Sequence, residues 1–303
     1  MKFSGVCALA VSAAVMSTTL YHGAALAGPA IGQFEIKSLE STPGEIEFQS
    51  QNAYSLGTPR RRTIDLGGGD LEADPNSLPL QRHALELEFG ITTFLKTRIG
   101  IEYEKERSED PATVRAANGY EELKLDEYAA EVIWVMIPRR GDGFGLGVVV
   151  EYEHPAESEG ARTLNYGPLI EWANGPWSMT LHPMLIQFFG GERNPAGQQD
   201  EKIDFGYAAR VMNQWSENFA IAIEAYGTVE RVGGRGGRSE EAALFGDFDQ
   251  HRIGPVLYWS WEPGGNPFGR EEESEVTLGV GTLFGLNDDT PSSTLKLSME
   301  VTF

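Results

Sequence analysis

Apolar and polar residues alternate strictly along many short stretches of this chain. In the last ten residues, 294–303, every second position is apolar and every position between is polar. Successive side chains of a β-strand point to opposite faces, so this pattern predicts a strand with one apolar face. Almost no stretch shows the 3.6-residue period of an amphipathic helix. The alternation therefore predicts an all-β protein.

The same alternation predicts about 12 strands, an even number as in bacterial transmembrane barrels. The predicted strands are 45–55, 80–90, 97–106, 123–136, 143–153, 163–172, 177–189, 203–213, 219–229, 250–261, 275–285 and 294–303. The connections between them are alternately long and short, as in barrels with long outer loops and short periplasmic turns. The connection 262–274 departs from this rule, because it is long where a short turn is expected. We predict a transmembrane antiparallel up-and-down β-barrel.

The aromatic residues favour a membrane location over a soluble sandwich, in which tryptophan would lie mid-strand in the core. Two aromatic belts are expected where a barrel meets the two membrane interfaces. All six tryptophans fall near the strand ends joined by short turns: Trp134, Trp172, Trp177, Trp215, Trp259 and Trp261. Six tyrosines fall nearer the opposite ends: Tyr54, Tyr103, Tyr152, Tyr166, Tyr207 and Tyr226. Tyr258 does not follow this pattern.

The N-terminus has the features of an export signal. Lys2 is the only charged residue among the first 34, an apolar run covers 6–15, and Ala25-Leu26-Ala27 matches an A-x-A cleavage site. The run is too short to span a bilayer as a helix. We expect a cleaved signal peptide over residues 1–27, which removes Cys7, and a mature barrel over 28–303 in the outer membrane of a Gram-negative bacterium.

The chain carries a net charge of −21, which makes nucleic acid a poor candidate partner. The partners that we expect are outer-membrane lipid and an unidentified small solute. The longest loop region, 59–75, is expected to be a surface loop, with a constriction folded into the barrel as the alternative.

Three C-terminal stretches, "LGVGTLFGLNDDTPSSTLKLSMEVTF", "SENFAIAIEAYG" and "HRIGPVLY", resemble a bacterial outer-membrane family labelled as transporters of the meta-pathway of phenol degradation. "LELEFGITTFLKTRIGIEYE" resembles it more weakly. The likeness covers about the last hundred residues well and the rest loosely. It implies hydrophobic or aromatic solutes, and a terminal aromatic, Phe303, that the barrel-assembly machinery recognises. It supplies no binding motif.

The inward face is the remaining source of functional information. On the predicted register it carries Glu86, Glu88, Glu102, Glu104, Glu127, Glu131, Glu151, Glu153, Glu171, Glu224 and Glu300, with Arg82, Arg98, Arg210, Arg252 and Lys296. Either these charges pair and fill a narrow lumen, or they line an acidic passage that favours cations or neutral solutes. Glycines recur on the same face, either to relieve strain where the barrel curves or to leave room for a solute.

We predict a porin-like barrel for passive passage of small molecules. The alternative is a non-transporting structural or surface-interaction barrel, and a hydrolase is third. A lipid hydrolase needs a serine activated by a nearby histidine, and none of His83, His154, His182 and His251 has a serine two residues away on the same strand face. We predict no catalytic residue, cofactor or metal.

Overall fold

The computed structural model describes residues 34–60, 63–67, 70–73, 80–105, 119–156, 161–190, 202–234, 250–269 and 274–303. The predicted signal peptide lies outside the described residues. Among the described residues, no helix is long and apolar enough to cross a membrane.

Twelve antiparallel strands form a closed barrel. The strands are β1 (Ile46–Leu56), β4 (Gln81–Thr92), β5 (Leu95–Lys105), β6 (Lys124–Ile137), β7 (Gly143–Pro155), β8 (Ala161–Asn174), β9 (Trp177–Gly190), β10 (Lys202–Gln214), β11 (Phe219–Gly234), β12 (Gln250–Trp261), β13 (Glu275–Gly285) and β14 (Ser293–Thr302), with β2 (Thr63–Gly67) and β3 (Asp70–Ala73) in a separate hairpin. Neighbours in sequence pair within the barrel, and β1 closes it by pairing with both β4 and β14.

Each predicted strand coincides with a barrel strand, which confirms the all-β barrel. The largest difference is at β11, which continues to Gly234 instead of ending at 229. Within the predicted loop region 59–75 the structure adds a β2–β3 hairpin of two paired strands, which the sequence analysis did not predict. Its short polar strands, separated by glycines, lack the sustained alternation that marked the barrel strands.

Burial alternates along the barrel strands, so one face of each strand points into the barrel and the other points outward. The outward face carries exposed large apolar residues such as Ile99, Val132 and Leu257. Five of the tryptophans are also exposed, near the end of the barrel that has the short turns. An apolar outer band with an aromatic rim is the surface that a bilayer requires of a transmembrane barrel.

Phe303 lies beside the strand pair that closes the barrel. Its N–H donates to the carbonyl of Ile46 at 2.8 Å, at the start of β1. Its ring packs edge-on against Phe268, with ring centroids 5.4 Å apart. The last residue is therefore held by both backbone and ring contacts.

Candidate functional site

The side chains predicted to face inward do point into the barrel. Most are buried there: Glu86, Glu88, Glu102, Glu104, Glu131, Glu151, Glu171, Glu224, Glu300, Arg98, Arg210, Arg252 and Lys296. Arg82, Glu127 and Glu153 also point inward and are half-buried. The interior is therefore strongly polar along much of its wall.

A short piece of chain that sequence reasoning missed lies inside this wall. Residues 34–39, here called the lumen segment, are all buried, and their contacts are with inward-facing side chains of β5–β8, β11 and β12. A tight turn over Thr42–Glu45 connects the segment to β1. The N–H of Glu45 donates to the Thr42 carbonyl at 3.1 Å, and Gly44 has φ 85°. Proline followed by glycine with positive φ is the arrangement of a type II turn.

The turn sits at the short-turn end of the barrel. Ser41 donates its hydroxyl proton to the Thr92 carbonyl at 2.6 Å, and the N–H of Gly44 donates to the Gly90 carbonyl at 2.6 Å. The lumen segment therefore enters from this end, and Leu39 is nearer to it than Phe34.

The charged residues of the lumen segment face the wall built by β4–β7. Lys37 forms ion pairs with Glu131, with Glu151 at 3.5 Å, and with Glu35 of its own segment at 3.2 Å. Burial and Arg98 act to lower the pKa of Lys37, but Glu131, Glu151 and Glu35 outweigh them and raise it above its usual range. Lys37 therefore remains a cation inside the barrel.

Arg98 of β5 joins the segment to the wall a second time. Its guanidinium contacts Glu35, Glu86 at 3.0 Å and Glu131 at 2.8 Å. Below this network, the N–H of Leu39 donates to Oε1 of Glu171 at 2.8 Å. Several of the carboxylates on this wall are thus engaged by the lumen segment, which joins them in one buried ionic network.

The apolar residues of the lumen segment face the opposite wall. Phe34 and Ile36 belong to a buried cluster that also contains these residues of β1 and β10–β13: Ala53, Ala208, Met212, Ala220, Ala222, Tyr226, Val256, Tyr258 and Leu283. The segment therefore alternates as a strand does, with Phe34 and Ile36 on one side and Glu35 and Lys37 on the other. The ionic contacts of the segment are therefore with one wall and its apolar contacts with the other, here called the apolar wall, which also carries buried charges such as Glu224 and Arg252.

Tyr226 corrects one sequence expectation. The tyrosine pattern predicts that it lies in an aromatic belt at a membrane interface, but it is 1% exposed and lies inside the barrel. It is two residues from Glu224 on β11, and residues i and i+2 of a strand share a face. Its hydroxyl donates to Oε2 of Glu224 at 2.6 Å.

Glu224 is the centre of a second buried network. Its carboxylate also accepts a hydrogen bond from Tyr258 and pairs with Nζ of Lys296 at 2.6 Å. Both tyrosine hydroxyls lie near the same ammonium group, at 3.3 Å for Tyr226 and 3.2 Å for Tyr258. The pair is fully buried and its polar atoms are well supplied with partners, as a buried ion pair requires.

Three inward-facing glycines lie in close contact with the piece of chain inside the barrel, where a larger side chain would clash. A Cβ on Gly145 or Gly147 would lie 2.9 Å or 2.5 Å from a methyl carbon of Leu39, and a Cβ on Gly90 would lie 2.0 Å from the carbonyl oxygen of Thr42. Neither predicted reason for the inward glycines, curvature or space for a solute, included this one. At these three positions glycine makes room for the protein's own backbone and side chain.

The environment of Val149 differs from an acidic passage, one of the two alternatives that the sequence left open. Val149 points inward as predicted, but it belongs to an apolar cluster with Leu39, Ile133, Val135 and Leu169. The lumen segment supplies the apolar partner that was not foreseen.

One group of carboxylates could share a cation. Oxygens of Glu102, Glu127 and Glu153 all lie within 4.8 Å of one another. Glu153 also accepts hydrogen bonds from Thr163 and, at 2.9 Å, from Asn165. Carboxylates this close can equally share protons, so their spacing alone does not identify a metal site.

The contacts seen at Nδ1 of His83 and His251 are with Asn52 and Tyr207, not with a serine. Nδ1 of His83 lies 2.8 Å from Oδ1 of Asn52 on the outward face, and His182 is buried in the barrel, where Nε2 has no hydrogen-bond partner within the described ranges. Nδ1 of His251 lies 3.0 Å from the Tyr207 hydroxyl.

Comparison with family models finds no match, and neither does comparison with curated protein sequences. Among solved structures, the chain is similar to the COG4313 outer membrane channel from Pseudomonas putida F1, with TM-score 0.55 and 12% identity over 88% of this chain and 97% of that one. It is also similar to the NanC porin (TM-score 0.48, 9% identity, 84% and 98% covered) and to the KdgM porin in complex with disordered oligogalacturonate (0.43, 7%, 86% and 98%). At these identities the likeness is one of fold.

Proposed function

We propose that this protein is an outer-membrane channel for passive passage of small molecules, and that the lumen segment is its gate. The observation that carries the proposal is the lumen segment itself, which lies inside a polar barrel on noncovalent contacts and, within the described residues, continues into the barrel wall through the turn over Thr42–Glu45. A passage with a polar lining would open if these contacts were broken.

The fold supports the same proposal, since a closed barrel with an apolar outer band suits the outer membrane. We propose export through the signal peptide over residues 1–27, and recognition of Phe303 by the barrel-assembly machinery. The finer assignment, transport of compounds from the meta-pathway of phenol degradation, rests on sequence resemblance alone.

The solutes that would pass depend on both walls. The carboxylates around β4–β8 would favour cations or neutral polar molecules, whereas the apolar wall would favour hydrophobic ones. A path lined by two such walls suits amphipathic solutes better than strongly hydrated ions.

A second candidate function is a barrel that stays closed and acts as a structural or surface-interaction protein. The complete burial of Lys37 and its three ion pairs favours it, because such a network opposes withdrawal of the segment.

A reversible disulfide would separate the two candidates. The sequence has one cysteine, Cys7, within the predicted signal peptide, so Leu39→Cys combined with Gly147→Cys would introduce the only pair into the mature chain. A channel gated by the lumen segment would conduct in planar bilayers under reducing conditions and would lose its conductance on oxidation. Each single-cysteine variant should be insensitive to oxidant.

The closed-barrel alternative predicts no conductance in either state. Deletion of residues 28–40 is the companion test, provided that the deleted protein still shows the heat-dependent gel mobility of a folded barrel. Conductance in the deleted protein alone would show that the barrel can be a pore but that the segment does not leave it.

A further inference from the structure

The ring of Phe34 occupies a defined place on the apolar wall. It packs edge-on against Tyr226, with ring centroids 5.4 Å apart. On another side the guanidinium carbon of Arg252 lies 4.9 Å from the Phe34 centroid. An aromatic ring is thus held between a tyrosine ring and an arginine, by contacts that any other aromatic ring could make.

Arg252 is the unusual member of this group. It is 5% exposed, its Nη2 donates to Oε1 of Gln250 at 2.7 Å, and its Nε has no hydrogen-bond partner among the described residues. In the parts of the chain that the structure describes, no carboxylate pairs with it. Lys296, by contrast, is paired with Glu224. A buried cation without an anion is costly, so Arg252 has unused capacity to bind one.

Besides Glu224, this wall carries the buried carboxylate of Asp204 on β10, but the charged group that contacts the Phe34 ring is the Arg252 guanidinium. Arg210, Arg252 and Lys296 surround the apolar cluster of β10–β13, and Glu224 is already committed to Lys296 and two tyrosines. The carboxylates engaged by Lys37 and Arg98 lie on the other side of the segment.

We infer that the place of the Phe34 side chain is a binding site for an aromatic carboxylate, open when the lumen segment withdraws. The solute's ring would take the position of the Phe34 ring against Tyr226, and its carboxylate would pair with the Arg252 guanidinium, which offers donors in a planar fork. Phe34 then acts as a built-in substitute for the solute. This inference rests on the proposed function only in requiring that the segment can leave.

Removing the Phe34 ring tests the site without requiring the segment to move. In purified Phe34→Ala protein in detergent, the vacated apolar space should accept a ring, as engineered apolar cavities do. Benzoate is the probe, benzamide is its neutral counterpart, and binding is measured by saturation-transfer NMR and calorimetry. Adding Arg252→Gln should weaken benzoate binding at least about tenfold, the loss expected for a hydrogen-bonded charge.

Two controls make the result specific. Arg139→Gln removes an arginine that pairs with Glu171 at the short-turn end, and it should leave benzoate binding unchanged. Benzamide should bind Phe34→Ala more weakly than benzoate and should not respond to Arg252→Gln. If Phe34→Ala fails to assemble, Phe34→Leu keeps apolar packing and carries the same comparison.

The inference is overturned if no variant binds benzoate, if benzoate and benzamide bind equally, or if Arg252→Gln has no more effect than Arg139→Gln. Conductance is measured separately on the same samples. Binding without conductance would count against the channel and leave the site intact, whereas conductance without binding would remove the site and leave the channel.

Discussion

Replacing Lys37 by methionine should open the barrel. Methionine keeps most of the length of the side chain but removes the charge that holds Glu131, Glu151 and Glu35 together. These carboxylates would then lie buried without their cation while the segment is inside, and would regain water when it leaves. The substitution therefore destabilises the closed state more than the open one.

The size of the effect follows from the contacts that remain. Removing one partner from a buried ion pair costs about 3–5 kcal/mol. Arg98 still contacts Glu35 and Glu131 in the variant, so the lower end, about 3 kcal/mol, is appropriate. Since each 1.4 kcal/mol is a factor of ten, the ratio of open to closed channels should rise about a hundredfold.

Single-channel recording in planar bilayers measures this ratio directly as open probability. The matched control is Lys124→Met, which removes a half-exposed lysine paired with Glu121 at 3.5 Å. An exposed pair of this kind contributes little, about 0–1 kcal/mol, so this variant should behave as the unmodified protein does. If folded Lys37→Met has the same open probability as Lys124→Met, the ionic network does not hold the gate and the reasoning fails.

Three further outcomes are expected. Lys296→Met should lower the free energy of unfolding by about 3–5 kcal/mol in urea titrations in lipid vesicles, and adding Glu224→Gln should restore part of it; unchanged stability would contradict the role of this pair. Val148→Arg should cost about 2–4 kcal/mol of folding free energy because it faces lipid, whereas Val149→Arg should assemble but raise conductance by displacing the lumen segment; normal conductance in folded Val149→Arg would argue against that displacement. Deleting Phe303 should reduce the yield of heat-modifiable barrel in outer membranes, and an undiminished yield would exclude it as an assembly signal.

The barrel strands were predictable because their two faces meet different environments. Each outward residue meets lipid and each inward residue meets a polar interior, so the period of two is written into the sequence. Strand β1 has the weakest pattern, because the polar residues Ser50 and Asn52 point outward, where the Asn52 amide donates to the Ser50 hydroxyl at 3.3 Å.

The sequence pattern did not predict that the lumen segment lies inside the barrel. Its alternation of Phe34 and Ile36 with Glu35 and Lys37 is short, and the two faces meet two walls of one barrel instead of lipid and lumen. A signal was nevertheless present, because "STPGE" over 41–45 separates two alternating stretches as a turn would. The carboxylates that the segment contacts come from strands far apart in sequence. The alternation within any one strand cannot predict such contacts.

The short turn over Thr42–Glu45 also affects how long an open state lasts. A withdrawn lumen segment stays tethered within a few residues of its site, so its return is intramolecular and its effective concentration is high, on the order of millimolar or above. Modest intrinsic affinity is then enough to keep the barrel closed most of the time. Openings should be brief and frequent, and a free peptide with the sequence of residues 34–40 would compete with the tethered segment only at comparable concentrations.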